Sequence, residues 1–450
     1  MKFSSYLLAI FVLMNLAACS PNIYHISTDG QDGSRGNASA PWQTFAYALE
    51  HAEPGSIIKV HGGVYKQKIE LWKEVGDGKV DLIFQAIDGE RPVIDGSDFV
   101  LEETSALVTL SNVESFVLEG FEIRNFSSNV QNATAMGIFI NGKSSGIKLK
   151  NIVIHDIDTE VNKKNGGDAH GLAVYGDDKK KPISDLEIDG VHIYNCRLGS
   201  SEAMVVNGNV DGFVIQNCRV HDCNNIGIDM IGHEKVCSNA ELDQARNGIC
   251  RLNRVYNITS KGNPAYGNES SAGGIYVDGA RDIIIEKNQI WNCDIGIEIA
   301  SEHKGKSTSN IKVRHNLVEG SYQSGLLVGG YAAKRGSADN ILFEANSLYN
   351  NDKANWSLGE IAFQFHVNDC RVINNTLFAG KRGDRSVFVG RSSKKAKVEN
   401  VIFEGNQYWS EAKKAFWLLS EPVKSFAEWQ KKGYDSNGRW QKPEEIKINK

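Results

Sequence analysis

Proline is scarce in this chain, 8 residues of 450, and so are methionine (5) and cysteine (8). So little proline excludes a polyproline or collagen-like rod. The cysteines fall into no spacing that would build a zinc site. Neither sign of charge dominates. The 55 acidic and 50 basic residues leave a formal −5, which offers nucleic acid no electrostatic footprint. Long hydrophobic runs are also missing. The one candidate, Tyr6 to Leu16, is too short to span a bilayer. What the chain does have is glycine, 44 residues, and 41% apolar residues spread in short alternating stretches. That is the composition of a core-forming protein.

The first residues set the expected compartment. A basic start, Met1-Lys2, and the apolar run after it read as a secretory signal. It closes on Leu16-Ala17-Ala18-Cys19, which resembles the bacterial lipobox. The resemblance implies cleavage before Cys19, lipidation of Cys19 and a lipid-anchored protein. Ser20, in place of Asp, directs it to the outer membrane. An exported chain favours disulfides. Cys237 and Cys250, which bracket VCSNAELDQARNGIC, are the pair expected to bridge, unless Cys250 is a core residue.

A repeat organises the rest. It reads IIIEKNQIWN at 283–292, IKVRHNLVEG at 311–320, ILFEANSLYN at 341–350, CRVINNTLFA at 370–379 and VIFEGNQYWS at 401–410. Asn288, Asn316, Asn346, Asn375 and Asn406 recur every 28 to 31 residues, and Asn253 fits upstream. A second strand of the form G-h-x-h-x precedes each unit, as in GIYVDG at 274 and GIEIAS at 296. Apolar residues alternate with period 2, which excludes helical repeats and predicts short parallel strands stacked coil on coil. The Asn column is expected at turns, where Asn tolerates left-handed backbone and stacked amides can bond along the ladder. Cys196, Cys223 and Cys293 share a column with Ile157 and Ile258, so they read as core.

The pattern resembles the right-handed parallel β-helix, the fold of pectate lyases and several glycosidase families. The expected fold is therefore all-β, a single-stranded right-handed solenoid with an N-terminal capping helix. The helix starts at Pro41, with Phe45, Ala48, Leu49 and Ala52 on its apolar face and Pro54-Gly55 as its stop. The expected organisation is a signal peptide (1–18), an N-terminal anchor segment (19–40) and a cap helix with first coils (41–105). The β-helix proper follows (106–410, with an insertion at 234–272), then a tail with a short helix (411–450).

A solenoid turns sequence position into spatial columns. Aligned on the G-h-x-h-x strands, the first outward column holds Phe139, Ala173, Val205, Asp229, Tyr276, Glu298 and Leu327. The second holds Asn141, Tyr175, Asn207, Ile231, Asp278, Ala300 and Gly329. His170 and Glu202 lie just ahead of these strands. Asp168, His233, Glu234, Glu302 and His303 flank their ends. Carboxylates and tyrosines thus gather on one outward face of the central coils. Such a cluster suits sugar chemistry, where one carboxyl group protonates the leaving oxygen and another attacks or activates water. Asp229, Asp278 and Glu298 are the catalytic candidates. His170, Glu202, Tyr175, Tyr276, Glu302, His303 and Arg246 are the candidates for substrate contact, with Tyr266 beside Arg246 in the insertion.

GGIYVDGARDIIIEKNQIWNCDIGIEI is similar to a segment of β-helix glycoside hydrolases that includes a β-xylosidase family. That resemblance implies Asp278 and Glu298 as the pair of nucleophile and acid/base, with Tyr276 where the family has Trp, and it favours retention. The spacing itself, one coil and two residues, leaves retaining and inverting geometries open. This reading needs no cofactor. A polysaccharide lyase or uronate epimerase is the alternative. It would hold Ca²⁺ on Asp229, Glu298 and Glu302 and use His170, Lys304 or Arg335 as base. No Lys or Arg occupies the two outward columns beside the acids, which counts against it. A third reading is a non-catalytic glycan-binding surface lipoprotein, with Tyr175 and Tyr276 as its platforms. In every reading the partner is a poly- or oligosaccharide.

Overall fold

The computed structural model describes residues 21–73, 80–162, 167–354, 358–379, 385–390, 397–411 and 414–442. Cys19 and the signal lie outside them. The chain winds through three sheets of 13 strands each. One coil shows the path. Gly273–Asp278 lies in what we term the front sheet, Arg281–Glu286 in the back sheet, Gln289–Trp291 in the side sheet, and Ile295–Ala300 returns to the front. Neighbouring strands of each sheet come from successive coils and run parallel. The exception is the last front-sheet pair, Phe416–Leu418 with Glu421–Val423, which is antiparallel. The first coil already begins at Ile23–Ile26, which pairs with Ile57–Val60, inside the segment expected to be an anchor.

Alternation fills the interior. Ile275, Val277, Ile283, Ile285 and Ile290 of one coil are fully buried and stack on Ile297, Ile299, Ile311, Val313 and Val318 of the next. The glycine that opens many of the front strands has a steric cause. A Cβ on Gly274 would lie 2.9 Å from the Gly296 carbonyl oxygen, and one on Gly296 would lie 2.4 Å from that of Gly325.

The Asn column sits at the corner between back and side sheets, and it differs from the expectation in one respect. The left-handed residue is the one before each Asn: Lys287 (φ 56°), His315 (56°), Ala345 (52°) and Asn374 (55°). The column residue is kept for its amide. Asn253, Asn288, Asn316, Asn346 and Asn375 each donate from Nδ2 to Oδ1 of the next, at 2.9–3.0 Å. Each Oδ1 also accepts the backbone N–H of the preceding column residue. Asn406 ends the series by donating to Asp435, 2.8 Å away.

Both ends of the apolar interior are plugged. The N-terminal helix is Phe45–His51, shorter than Pro41 suggested, because Thr44 is the residue that caps it by accepting from the Tyr47 N–H. Phe45 packs on Tyr65, Phe84 and Phe121. At the far end the helix Phe426–Lys431 buries Trp429 against Phe403 and Phe416.

The seven cysteines among the described residues are free thiols. Cys250 faces the core with no exposure, whereas Cys237 sits on the Asp178 carbonyl, so the expected disulfide is absent. The supposed insertion at 234–272 is also more ordered than expected. It contains the back strand Arg246–Arg251 and the side strand Arg254–Ile258 of its own coil. These divide it into two loops, 232–245 and 259–272.

Candidate active site

Strand pairing places the front-sheet residues in the expected columns. Val205, Asp229, Tyr276, Glu298 and Leu327 are successive partners across five strands. Asp278 pairs with Ala300, so Glu298 lies one strand over and two residues back from it. The columns are not solvated as a bare sheet face would be. Asp229 is 2% exposed, Asp278 5% and Glu298 7%.

The two loops account for that burial by walling the long edges of the sheet. The buried Asp243 carboxylate holds loop 232–245 by accepting from the Lys235 and Cys237 N–H groups. Arg246 braces the same loop through Asp211, Asn209 and the Leu242 and Gln244 carbonyls. Arg246 is therefore a buried structural residue, not a substrate contact, because its guanidinium is already engaged. Asp294 clasps loop 259–272 by accepting from Thr259, Ser260 and Ala272. Asn263 of that loop donates to the Gly199 carbonyl at 2.6 Å. Tyr266 sits close enough for Glu202 to push its phenol up, after burial, and bonds Asn225.

The carboxyls affect one another. Burial raises Asp229 well above the usual carboxylate range, and Glu202, Asp278, Glu234 and Glu298 raise it further. Burial, then Glu302 and Asp278, raise Glu298. Asp278 is also raised by burial and by Glu302, but two groups favour its ionised form. Its Oδ1 accepts the Glu302 N–H at 2.7 Å, and the Arg335 guanidinium lies nearby. Arg335 stands 3.6 Å from the Glu302 carboxylate and over the ring of Tyr331, which is 50% exposed. Tyr331 follows a front strand and belongs to no motif, so nothing in the repeat marks it.

His170 takes a role behind the surface. Burial lowers it to about 4, so it is neutral at physiological pH. Its Nδ1 contacts the Glu202 carbonyl (3.0 Å), an acceptor, which fixes the proton on Nδ1. Nε2 then accepts from the Tyr175 hydroxyl at 3.1 Å. With both nitrogens engaged, His170 orients Tyr175 and Glu202 and has no lone pair left to act as a base.

Several buried polar atoms in the site have no partner: Asp229 Oδ1, Asn207 Oδ1, His233 Nδ1 and His303 Nε2. Native structures pair most such atoms, so these mark groups open to a bond from water or a ligand. Ligand atoms of Glu234, Asp278 and His303 all lie within 4.8 Å of one another, a spacing that suits a divalent cation. None of the three acids expected to hold Ca²⁺ belongs to this trio; Glu302 touches it through its N–H on Asp278.

Residues 24–263 match the Pel9A-like right-handed β-helix family, just over half of the chain. The chain belongs to that family. Residues 203–337 also match the general right-handed β-helix region. The uncharacterised protein YwoF of Bacillus subtilis is 35% identical over 425 residues, 94% of this chain and 86% of that one. Pectate lyase PEL9 of Emericella nidulans is 26% identical over 194 residues, 36% of this chain and 46% of that enzyme. Among solved structures, GH136 lacto-N-biosidase of Eubacterium ramulus superposes with a TM-score of 0.57 at 13% identity. It covers 86% of this chain and 67% of that one, a likeness of fold.

Proposed function

We propose that this Pel9A-like β-helix is a glycoside hydrolase that cleaves a polysaccharide or oligosaccharide with Glu298 as acid and Asp278 as base or nucleophile. The observation that carries the reading is the unequal treatment of two buried carboxyls on adjacent strands. Only causes that raise it act on Glu298, which keeps its proton available for a leaving oxygen. Burial, Glu302 and Glu234 raise Asp278 too, but it alone of the two also accepts an N–H and has the Arg335 guanidinium nearby, both of which oppose that rise. Tyr276 lies beside Glu298 and two residues from Asp278, where a sugar ring would rest. Asp229, one strand further, offers its unpartnered oxygen to a sugar hydroxyl. Family membership and the pectate lyase relative support a carbohydrate substrate. The acid-rich cleft favours an uncharged one, since a polyuronate would bring further carboxylates into it.

The test is a panel of neutral and acidic polysaccharides, followed both for new reducing ends and for absorbance from unsaturated uronates. Reducing ends without absorbance are expected, with retention of anomeric configuration. Unsaturated products abolished by a chelator would instead favour the family's lyase chemistry, with the cation on Glu234, Asp278 and His303. We also read Leu16-Ala17-Ala18-Cys19 as supporting a lipid anchor on the outer membrane. Cys19→Ser should then move the protein from the detergent phase to the aqueous phase on phase separation.

A further inference from the structure

We infer that the substrate is a polymer that runs along the front sheet toward the N-terminal cap, where Trp72 stacks on a sugar far from the bond being cleaved. The inference rests on the hydrolase reading for the position of the cleaved bond, but not for the site itself.

The argument starts from one column. Trp72 pairs with Ser111, Ser111 with Asn141, Asn141 with Tyr175, Tyr175 with Asn207, and Asn207 with Ile231. Asp278 occupies the next strand of the same sheet. This column carries Ser111, Asn141, Tyr175 and Asn207, whose hydroxyls and amides are groups that exchange hydrogen bonds with sugar hydroxyls. The column beside it, Phe139, Ala173 and Val205, packs as an apolar strip with Ile231. Six strand spacings separate Trp72 from Asp278, roughly 29 Å at about 4.8 Å each. A mono- or disaccharide cannot bridge that distance.

Two observations mark the far end as more than bare sheet. Trp72 is 60% exposed, and among the described residues it is the one large apolar side chain on a front-sheet strand left so open. An exposed indole presents the flat apolar face on which a sugar ring stacks, and covering it gains free energy. Beside it lies an open depression of about 390 Å³, lined by Ser111, Asn112, Asn141, Asp177, Lys179 and Ser238. Asn141 Oδ1 in that depression is buried without a hydrogen-bond partner, as Asn207 Oδ1 is two strands nearer the acids. Ser238 comes from loop 232–245, which forms the wall of the acid site, so one wall borders both places.

The test uses the whole protein carrying Glu298→Gln, so that binding is read without cleavage. Its mobility is measured in native gels containing xylan, arabinan, galactan, mannan or polygalacturonate. At least one polysaccharide is expected to retard it. Adding Trp72→Ala should weaken that retardation about tenfold in apparent Kd, an effect one stacked ring can supply. Trp72→Phe should restore most of it, with the melting temperature unchanged in both. A disaccharide from the same polymer should show no difference between the variants. Equal retardation of Trp72→Ala and its parent, or no retardation by any polysaccharide, overturns the inference. Cleavage by the wild type with equal retardation removes the distal site and leaves the hydrolase reading. Retardation that needs Trp72, in a protein that cleaves nothing, removes the hydrolase reading and leaves the distal site.

Discussion

Two polar columns run along this solenoid at the same spacing, and they have opposite energetics. In the Asn253–Asn406 column every amide donates to the next and accepts from the one before, fully out of water. In the front-sheet cluster, Asp229, Glu298 and Asp278 are as deeply buried, but they raise one another and leave Asp229 Oδ1 unpaired. Satisfied polar groups strengthen a buried ladder, whereas stacked like charges weaken it. The first column is explained by folding alone. The second carries a cost to stability, which the proposed acid site would explain.

Four changes test that contrast, in falling order of expected effect. Glu298→Gln should lower kcat by about 10²–10⁴, the usual contribution of a positioned acid, with the fold intact. Loss of structure instead would mean that the cluster holds the coils together. Asn316→Ala should have no direct effect on chemistry but cost about 2–4 kcal/mol. It removes the buried acceptor of the Asn288 backbone N–H and of one Asn288 Nδ2 hydrogen. Thermal melting and loss of amide protection at neighbouring coils would report it, and a neutral result would reduce the ladder to ornament.

Asp229→Asn should stabilise the protein at pH 8. The sign follows from the raised native pKa of Asp229. Such a carboxyl stabilises the fold fully below its unfolded value, about 4, and that contribution is lost as pH rises through the native value. The variant has no proton to lose, so its advantage should grow with pH and vanish near pH 3. Parallel pH–stability curves for variant and wild type would refute the strained-cluster account. Last, a reductant should leave the melting temperature unchanged, since Cys237 and Cys250 are free.

Much of this was legible in the sequence because a period-2 solenoid is close to one-dimensional. The register Asp229–Tyr276–Glu298 follows from counting glycines, since each opening Gly is fixed by contact with the coil above. The depth of burial was not legible. Outward positions read as solvated, and the loops that cover them carry no repeat. Arg246 shows why. As one basic residue in an apparent insertion it looked free to meet substrate, but the insertion holds two strands of its own coil and Arg246 opens the first. Tyr331 and the Glu234–Asp278–His303 group likewise depend on the path the chain takes at and beyond the ends of front strands, which no column records.

The amide column also has a direction and a terminator. Each Asn gives its proton toward the C-terminus, so the last one needs a group that only accepts, and the Asp435 carboxylate supplies it. Its other end needs no such group, since Asn253 Oδ1 takes a plain backbone N–H from Cys218. Coils between these ends are interchangeable modules in the way monomers are in a capped chain. One could be copied or deleted between Asn316 and Asn406 without altering either terminus. The length of the protein beyond its acids is therefore free to drift in steps of about 30 residues, while the acids keep their place.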